Sequence, residues 1–152
     1  MVYFEKRTGV KGMEHIILEN RLSADDFIRL FSSAGWGEPD RGLVETSLKN
    51  SYAVFSVCDG EKVIAMARLI GDGGMAFFLK DLVVAPEYQG QGIGSALLAH
   101  VEEFIRGELK EGWWSFLQLM SAKDKEPFYL SCGYKAHPHE HSGAGFTKVI
   151  GR

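Results

Sequence analysis

The most constraining feature of the sequence is an apolar, strand-like run that leads through a glycine-rich loop into an amphipathic helix. Residues 82–86 read Leu-Val-Val-Ala-Pro, glycines follow at positions 90, 92 and 94, and apolar side chains then recur with helical spacing from position 93 to position 105. A helix N-terminus presents unpaired N–H groups and the positive end of the helix dipole. Because glycines let the backbone approach an anion closely, the segment predicts a phosphate-binding site that needs no lysine.

Two common nucleotide-binding motifs fit this segment poorly. A P-loop requires a lysine before its Ser or Thr, whereas Gly94 is followed directly by Ser95. The Rossmann fingerprint requires a third glycine where this sequence has Ser95, and it belongs early in a βαβ unit. The alternative without any ligand is that the glycines only form tight turns.

The remaining patterns predict a mixed α/β fold. Strands are expected at 13–19, 52–58, 62–70, 75–84, 113–120 and 146–150, and the apolar character of 113–120 suits a strand buried on both faces. Helices are expected from Ser23 to about Gly35 and at 41–49, 92–107 and 125–131. Turn signals at 59–60 and 71–74 make 52–84 an antiparallel meander, so antiparallel strands precede a strand–helix–strand pattern.

The composition is that of an ordinary globular domain with an acidic balance. The 152 residues include 17 Lys and Arg against 20 Asp and Glu, which gives a net charge of −3. This length predicts a single domain over 1–152, and the acidic balance argues against nucleic-acid binding. We expect a cytoplasmic protein without a membrane partner, because the chain has no long apolar run, no signal-peptide pattern and only two cysteines.

Two segments resemble the motifs of the GNAT superfamily of acyl-CoA-dependent N-acyltransferases. Gln89-x-x-Gly92-x-Gly94, which follows Pro-Glu-Tyr at 86–88, is similar to the pyrophosphate-binding pattern Gln/Arg-x-x-Gly-x-Gly/Ala. Downstream, residues 128–134 read Phe-Tyr-Leu-Ser-Cys-Gly-Tyr and are similar to the superfamily's Phe-Tyr-x-x-x-Gly-Phe/Tyr segment. The two motifs occur in the superfamily's order and at a fitting separation.

The resemblance implies a GNAT-like fold, a splayed mixed sheet of 6–7 strands flanked by about four helices, with acetyl-CoA as co-substrate in the gap and no metal. The pyrophosphate would lie on the amides of the loop, and the strand before the loop would pair with the pantetheine arm. The Leu82 amide would donate to the thioester oxygen. By position, the cofactor-binding residues are Leu82, Val83, Val84, Gln89, Gly90, Gln91, Gly92, Ile93, Gly94 and Ser95.

The resemblance also implies the chemistry, in which a primary amine, expected to be a small molecule, attacks the thioester directly in a ternary complex. Tyr129 matches the tyrosine that protonates the departing thiolate, the alternative being a packed aromatic. The strand position that sometimes holds a basic glutamate is Phe78. Deprotonation of the amine then falls to Asp81, if a strand bulge turns it inward, or to water. Ala122 replaces an asparagine that many members carry seven residues before the tyrosine.

The sequence is also compatible with other functions. Because Phe78 cannot act as a base, the domain could be a non-catalytic acyl-CoA sensor, and the acceptor could be a protein or peptide amine. A set of acidic and aromatic residues before the meander suits the binding of a cationic amine. The alternative is that these residues form a solvated face with one core tryptophan. The set consists of Trp36, Asp25, Asp26, Glu38, Asp40 and Glu45.

Two further expectations concern metal binding and assembly. His137, His139 and His141 alternate as they would on one face of a zinc-binding strand, but Pro138 favours a loop. We therefore expect no metal. A homodimer is expected by analogy with the superfamily.

Overall fold

The computed structural model describes residues 5–8 and 15–151, and its strands form one six-stranded mixed sheet. The strands are β1 (Glu5–Thr8), β2 (His15–Glu19), β3 (Ala53–Asp59), β4 (Lys62–Gly71), β5 (Ala76–Val84) and β6 (Phe116–Leu119). The helices are α1 (Ala24–Ser33), α2 (Arg41–Lys49), α3 (Ile93–Glu108) and α4 (Glu126–Ser131), with a 3₁₀ turn at Pro86–Tyr88. The strands lie in sequence order, antiparallel from β1 to β5, and β6 is parallel to β5. The predicted mixed α/β fold is confirmed.

The chain divides into two compact units, Met1–Leu119 and Met120–Arg152. The first unit holds the sheet and α1 to α3, and the second holds α4 and the C-terminal segment. A single domain over 1–152 stays a prediction. Among the described helices, none combines the length and the apolarity that crossing a bilayer would require.

The helices α1 and α2 begin where the sequence predicts because polar side chains cap them. The Ser23 hydroxyl accepts a hydrogen bond from the Asp26 N–H at 3.1 Å, and the Asp40 carboxylate accepts one from the Leu43 N–H at 2.9 Å. The apolar faces of both helices then pack on the sheet. The buried side chains of this core include Phe27, Leu30, Val44, Met66 and Val83.

The helix α3 covers the opposite face of the sheet. Its Phe104 ring meets the Phe55 ring at 5.2 Å, and its His100 Nε2 lies 2.8 Å from Glu19 Oε1. Phe55 pairs across the sheet with Ala67, whereas Met66 belongs to the core under α1, so neighbouring β4 residues face different helices. The central strands β3 and β4 are therefore covered on both sides.

Two predictions for the C-terminal third of the chain are wrong. The strand predicted at 113–120 is only the four residues of β6, and its Phe116 side chain is 58% exposed. Burial on both faces fails because, in the described chain, β6 pairs with β5 alone. Residues 146–150 form no strand, and Phe146 is 94% exposed. A short run rich in apolar residues becomes a strand only beside a free strand edge, and no described strand pairs with this one.

Candidate active site

The strand β5 carries a bulge close to its C-terminal end. Met66 pairs with Val83 and Arg68 pairs with Lys80, so that two residues of β5, Asp81 and Leu82, lie opposite the single residue Ala67. Asp81 has a φ of +53°, a left-handed conformation that costs a non-glycine residue about 1–2 kcal/mol. The bulge shifts the alternation of β5 by one residue and re-aims the backbone of its last three residues.

The same end of β5 is open on the side of β6. The pairing with β6 covers only Ala76 to Leu79, and within the described strands Leu82 lies outside the ladders to both neighbours. An unpaired strand edge presents N–H and C=O groups that can pair with an extended ligand. The predicted pantetheine-binding residues Leu82, Val83 and Val84 therefore lie on the part of β5 that β6 does not pair with.

The glycine-rich loop ends at a helix N-terminus without a side-chain cap. Gly90 and Gly92 have φ values of +75° and +80°, and Gly92 occupies the N-cap position of α3. The first helical bond runs from the Ala96 N–H to the Gly92 carbonyl at 3.0 Å. The N–H groups of residues 93–95 precede that bond and have no partner within the helix, and a helix N-terminus of this kind can bind an anion. The buried side chain of Ile93 fixes this turn to the core.

Side chains of the loop fold back onto its own backbone. Gln89 Nε2 donates to the Val84 carbonyl at 3.0 Å, and Gln91 Nε2 donates to the Glu87 carbonyl at 3.3 Å. The two glutamines therefore shape the loop in this structure, and the groups left for a phosphate are backbone amides.

The 3₁₀ turn before the loop is anchored to the β3–β4 hairpin. The Tyr88 hydroxyl donates to Asp59 Oδ2 at 2.9 Å, and this hydrogen bond raises the pKa of Tyr88. Lys62 Nζ lies 2.8 Å from Glu87 Oε1 and 5.2 Å from the centre of the Tyr88 ring. Sequence reasoning missed these contacts, because no spacing rule relates positions 59 and 88.

Removing the Tyr88 hydroxyl should loosen this anchor measurably. Tyr88→Phe keeps the ring but deprives Asp59 of its phenol donor, so we expect the free energy of unfolding to fall. Urea unfolding measures the change. Asp59→Asn, which keeps an oxygen acceptor for the phenol, is the matched control and should cost less. Equal stability of Tyr88→Phe and the unaltered protein would show that the bond contributes nothing.

Tyr129, the predicted acid, lies on α4 in the second unit, whereas the loop and β5 lie in the first. Within its unit the half-buried Tyr129 ring meets the Tyr134 ring at 5.9 Å. Burial, with a smaller contribution from Cys132, raises the pKa of the phenol above its usual value of 10.0. The phenol is therefore protonated at neutral pH, as a proton donor must be. Gly133, with a φ of +89°, follows the C-cap residue of α4 and reverses the chain there.

The two strand positions considered for a general base have different surroundings. Phe78 pairs with Ile70 in the β4–β5 ladder and offers no titratable group. The carboxylate of Asp81 accepts a hydrogen bond from Arg68 Nε at 2.8 Å, and the two side chains are only 9% and 13% exposed. This ion pair favours a structural role for Asp81. Arg68 gave no sequence signal, since one arginine in an alternating strand is unremarkable.

Most carboxylates of the acidic set before the meander take part in local contacts. Arg41 pairs with Asp25 and Glu45, and its hydrogen bond to Asp25 lowers the pKa of that carboxyl. Arg29 pairs with Asp26 at 2.8 Å, and Asp40 caps α2. Trp36 packs edge-on against the Phe31 ring at 5.1 Å. These contacts favour the solvated face over an amine-binding roof.

The three C-terminal histidines lie in a loop, as Pro138 suggests. His139 and Ser142 form an isolated bridge that closes a tight turn. No group of three or more metal-ligating side chains occurs within residues 5–8 and 15–151.

Comparisons with known proteins agree on one family. A model of the acetyltransferase (GNAT) domain matches residues 50–136, more than half of the 152-residue chain. The chain is 33% identical over 150 residues to GCN5-related N-acetyltransferase 2, chloroplastic, of Arabidopsis thaliana, covering 83% of this chain and 56% of the relative. It is 29% identical to histone acetyltransferase TAP1 of Glycine max, covering 90% of this chain and 63% of the relative. The chain thus spans under two thirds of the length of these two relatives.

A solved structure supports the same grouping. The structure of a probable acetyltransferase from Staphylococcus aureus superposes with a TM-score of 0.76 at 26% identity, covering 89% of this chain and 99% of that one.

Proposed function

The chain belongs to the GNAT acetyltransferase family, and from this premise we propose that it transfers an acetyl group from acetyl-CoA to a primary amine. The observation that carries the proposal is the uncapped N-terminus of α3, reached through two left-handed glycines from the open end of β5. The loop offers amides to a pyrophosphate, and the strand edge offers a backbone to the pantetheine arm. No lysine is needed for either contact.

The proposed reaction assigns one task to each group of residues. The amides of residues 89–95 hold the pyrophosphate, and those of 82–84 align the thioester. The amine nitrogen attacks the thioester carbonyl, and the Leu82 N–H stabilises the oxyanion that forms. When the carbon–sulfur bond breaks, Tyr129 protonates the thiolate of CoA. Because Arg68 engages the Asp81 carboxylate, water takes the proton of the amine.

The acceptor is proposed to be a small molecule that carries a primary amine. A protein or peptide amine is the second candidate, because the soybean relative that aligns over 90% of this chain is named a histone acetyltransferase. A non-catalytic acyl-CoA sensor is the third, because Phe78 occupies the position of the superfamily's basic glutamate. Turnover of any amine would exclude the sensor, and competition by peptides but not by small amines would favour the second candidate.

Calorimetric titration of the unaltered protein tests the cofactor class before any acceptor is known. We expect one acetyl-CoA per chain with micromolar affinity, somewhat weaker binding of CoA, and no binding of ATP, which lacks the pantetheine arm. Dephospho-CoA, which lacks the 3′-phosphate, is the control, because the loop is proposed to bind the pyrophosphate and not the 3′-phosphate. If neither CoA species bound, the glycine loop would be only a turn and the proposed activity would fail.

The compartment and the assembly follow as proposals. The thiols of Cys58 and Cys132 are free, which suits a reducing compartment such as the cytoplasm. The Arabidopsis relative is named as chloroplastic, so a plastid is the second compartment to test. A homodimer is proposed by analogy alone and is measured by sedimentation equilibrium.

A further inference from the structure

We propose that the ion pair between Arg68 and Asp81 is a clamp that holds the β5 bulge and thereby aims the Leu82 amide at the thioester oxygen of acetyl-CoA. The inference rests on the proposed function, since it concerns the orientation of a donor in that reaction. Arg68 and Asp81 are positioning residues in this proposal, because they act through Leu82 and do not touch the reacting atoms.

The clamp spans the bulge and is nearly withdrawn from solvent. Arg68 is the first β4 residue to resume regular pairing beyond the bulge, and its Nε donates to Asp81 Oδ2 at 2.8 Å. Its Nη1 reaches Ser51 Oγ at 3.4 Å, so a second contact holds the guanidinium in place. With only 13% and 9% of the two side chains exposed, solvent screens the pair weakly, and removing one partner leaves the other uncompensated.

The bulge needs such a restraint because Asp81 adopts an unfavourable backbone conformation. Its φ of +53° is rare for a residue with a side chain, and such conformations persist only where the surroundings impose them. The described β4 and β6 residues offer no ladder pairing to hold Leu82 either. The side chain of Asp81 is therefore the main link between the bulge and the neighbouring strand.

The backbone of Asp81 sets the direction of the proposed donor. The Leu82 N–H belongs to the planar peptide group that joins Asp81 to Leu82, so the dihedral angles of Asp81 decide where this N–H points. If Asp81 relaxed into regular β geometry, the peptide group would rotate and the N–H would return towards the β4 ladder. The pyrophosphate loop, which starts beyond Val84, would keep its own structure.

A clamp and a general base predict different behaviour of Arg68 variants. If Asp81 took the proton of the amine, freeing its carboxylate from Arg68 would leave the acetyl carbonyl undisturbed. If the pair is a clamp, Arg68→Gln and Asp81→Asn should disturb the carbonyl in the same direction. Asp81→Asn should do so less, because its amide oxygen still accepts from Arg68, and the double variant should be no worse than Arg68→Gln. Asp81→Asn is chosen because asparagine tolerates the left-handed conformation, so that only the charge of the pair is removed.

The test measures the carbonyl of bound acetyl-CoA directly and needs no acceptor. Isotope-edited infrared spectra of [¹³C-carbonyl]acetyl-CoA report hydrogen bonding to the thioester oxygen, and calorimetry gives the affinities for acetyl-CoA and CoA. For the unaltered protein we expect a carbonyl band at lower frequency than in solution. We also expect acetyl-CoA to bind roughly 2- to 12-fold more tightly than CoA, which corresponds to the free energy of one hydrogen bond.

In Arg68→Gln and in the double variant the band should return to its solution position and the affinity ratio should approach one, and Asp81→Asn should shift both in the same direction. CoA itself should bind within about twofold of the unaltered protein. Arg106→Gln, which breaks the exposed pair with Glu103, is the matched control and should change neither readout. If Arg68→Gln fails to fold, Arg68→Lys replaces it, since lysine keeps the charge but lacks the Nε donor.

The outcomes separate the clamp from the proposed function. A band and a ratio unchanged in the variants, or an equal loss of CoA and acetyl-CoA affinity, would overturn the clamp. An unshifted carbonyl in the unaltered protein that still binds acetyl-CoA would remove Leu82 as donor and the clamp with it, while the family chemistry stood. Failure of the unaltered protein to bind either CoA species would instead refute the proposed function.

Discussion

Replacing Gly92 by valine should weaken acetyl-CoA binding about 100-fold. Gly92 caps α3 at a φ of +80°, a conformation that a β-branched residue adopts very rarely. Relief of this strain turns the N–H groups of residues 93–95 away from the pyrophosphate. Losing two hydrogen bonds to a charged group, each worth about 1.5 kcal/mol, amounts to about 3 kcal/mol, or two orders of magnitude in Kd. Calorimetric titration of the variant measures the loss.

A valine at Gly35 is the matched control for the strain. Gly35 has a φ of +78°, and a Cβ added at either glycine meets no heavy atom within 4 Å. Both variants should therefore lose a similar stability, about 1–2 kcal/mol, through backbone strain. Only Gly92→Val should lose acetyl-CoA. Retention of affinity in that variant would mean that the pyrophosphate does not lie on the N-terminus of α3.

Much of the fold could be predicted from the sequence because its signals are local. Ser23 and Asp40 precede α1 and α2 and cap them, and the turn at Asp59 and Gly60 joins β3 to β4 as expected. Capping, turn chemistry and apolar periodicity depend on neighbours within a few residues. Where capping or turn chemistry marks an element, the structure follows it closely.

The strands that were missed or wrongly predicted depend on pairing between distant segments. The strand β1 has a charged sequence, Glu-Lys-Arg-Thr, without apolar alternation, and it exists through pairing with β2. Conversely, 146–150 contains three apolar residues and is expected to be a strand, but it finds no partner in the described chain. Whether a segment becomes a strand depends on a free edge elsewhere in the fold, and periodicity alone does not contain that information.

In the candidate site, too, local motifs could be predicted and contacts between distant residues could not. The glycines, the helix N-terminus and the tyrosine segment are local patterns, so they could be found in the sequence. The Arg68–Asp81 pair and the contact from Tyr88 to Asp59 join positions 13 and 29 residues apart, and no periodicity predicts them. A bulge at Asp81 was considered from the sequence, but no local pattern predicts that an arginine pairs with its carboxylate.

The second large effect is expected at Tyr129. Tyr129→Phe should lower kcat about 100-fold, the low end for loss of a general acid, because the thiolate of CoA then leaves without its proton donor. The Kd for acetyl-CoA should stay within about twofold, since the ring is kept. Steady-state kinetics with an amine from the acceptor screen, together with calorimetry, separate the two parameters. Tyr134→Phe, which removes the hydroxyl of the neighbouring ring, is the control and should leave kcat nearly unchanged.

The pH dependence of the rate gives Tyr129 a second, independent signature. Only the protonated phenol can donate, so the rate should fall as the pH rises through its pKa. Because burial raises that pKa, the alkaline fall should lie at higher pH than for an exposed tyrosine. In Tyr129→Phe this alkaline fall should disappear. If it persisted, or if kcat were unaltered, Tyr129 would be only a packed aromatic of α4, and the thiolate would take its proton from water.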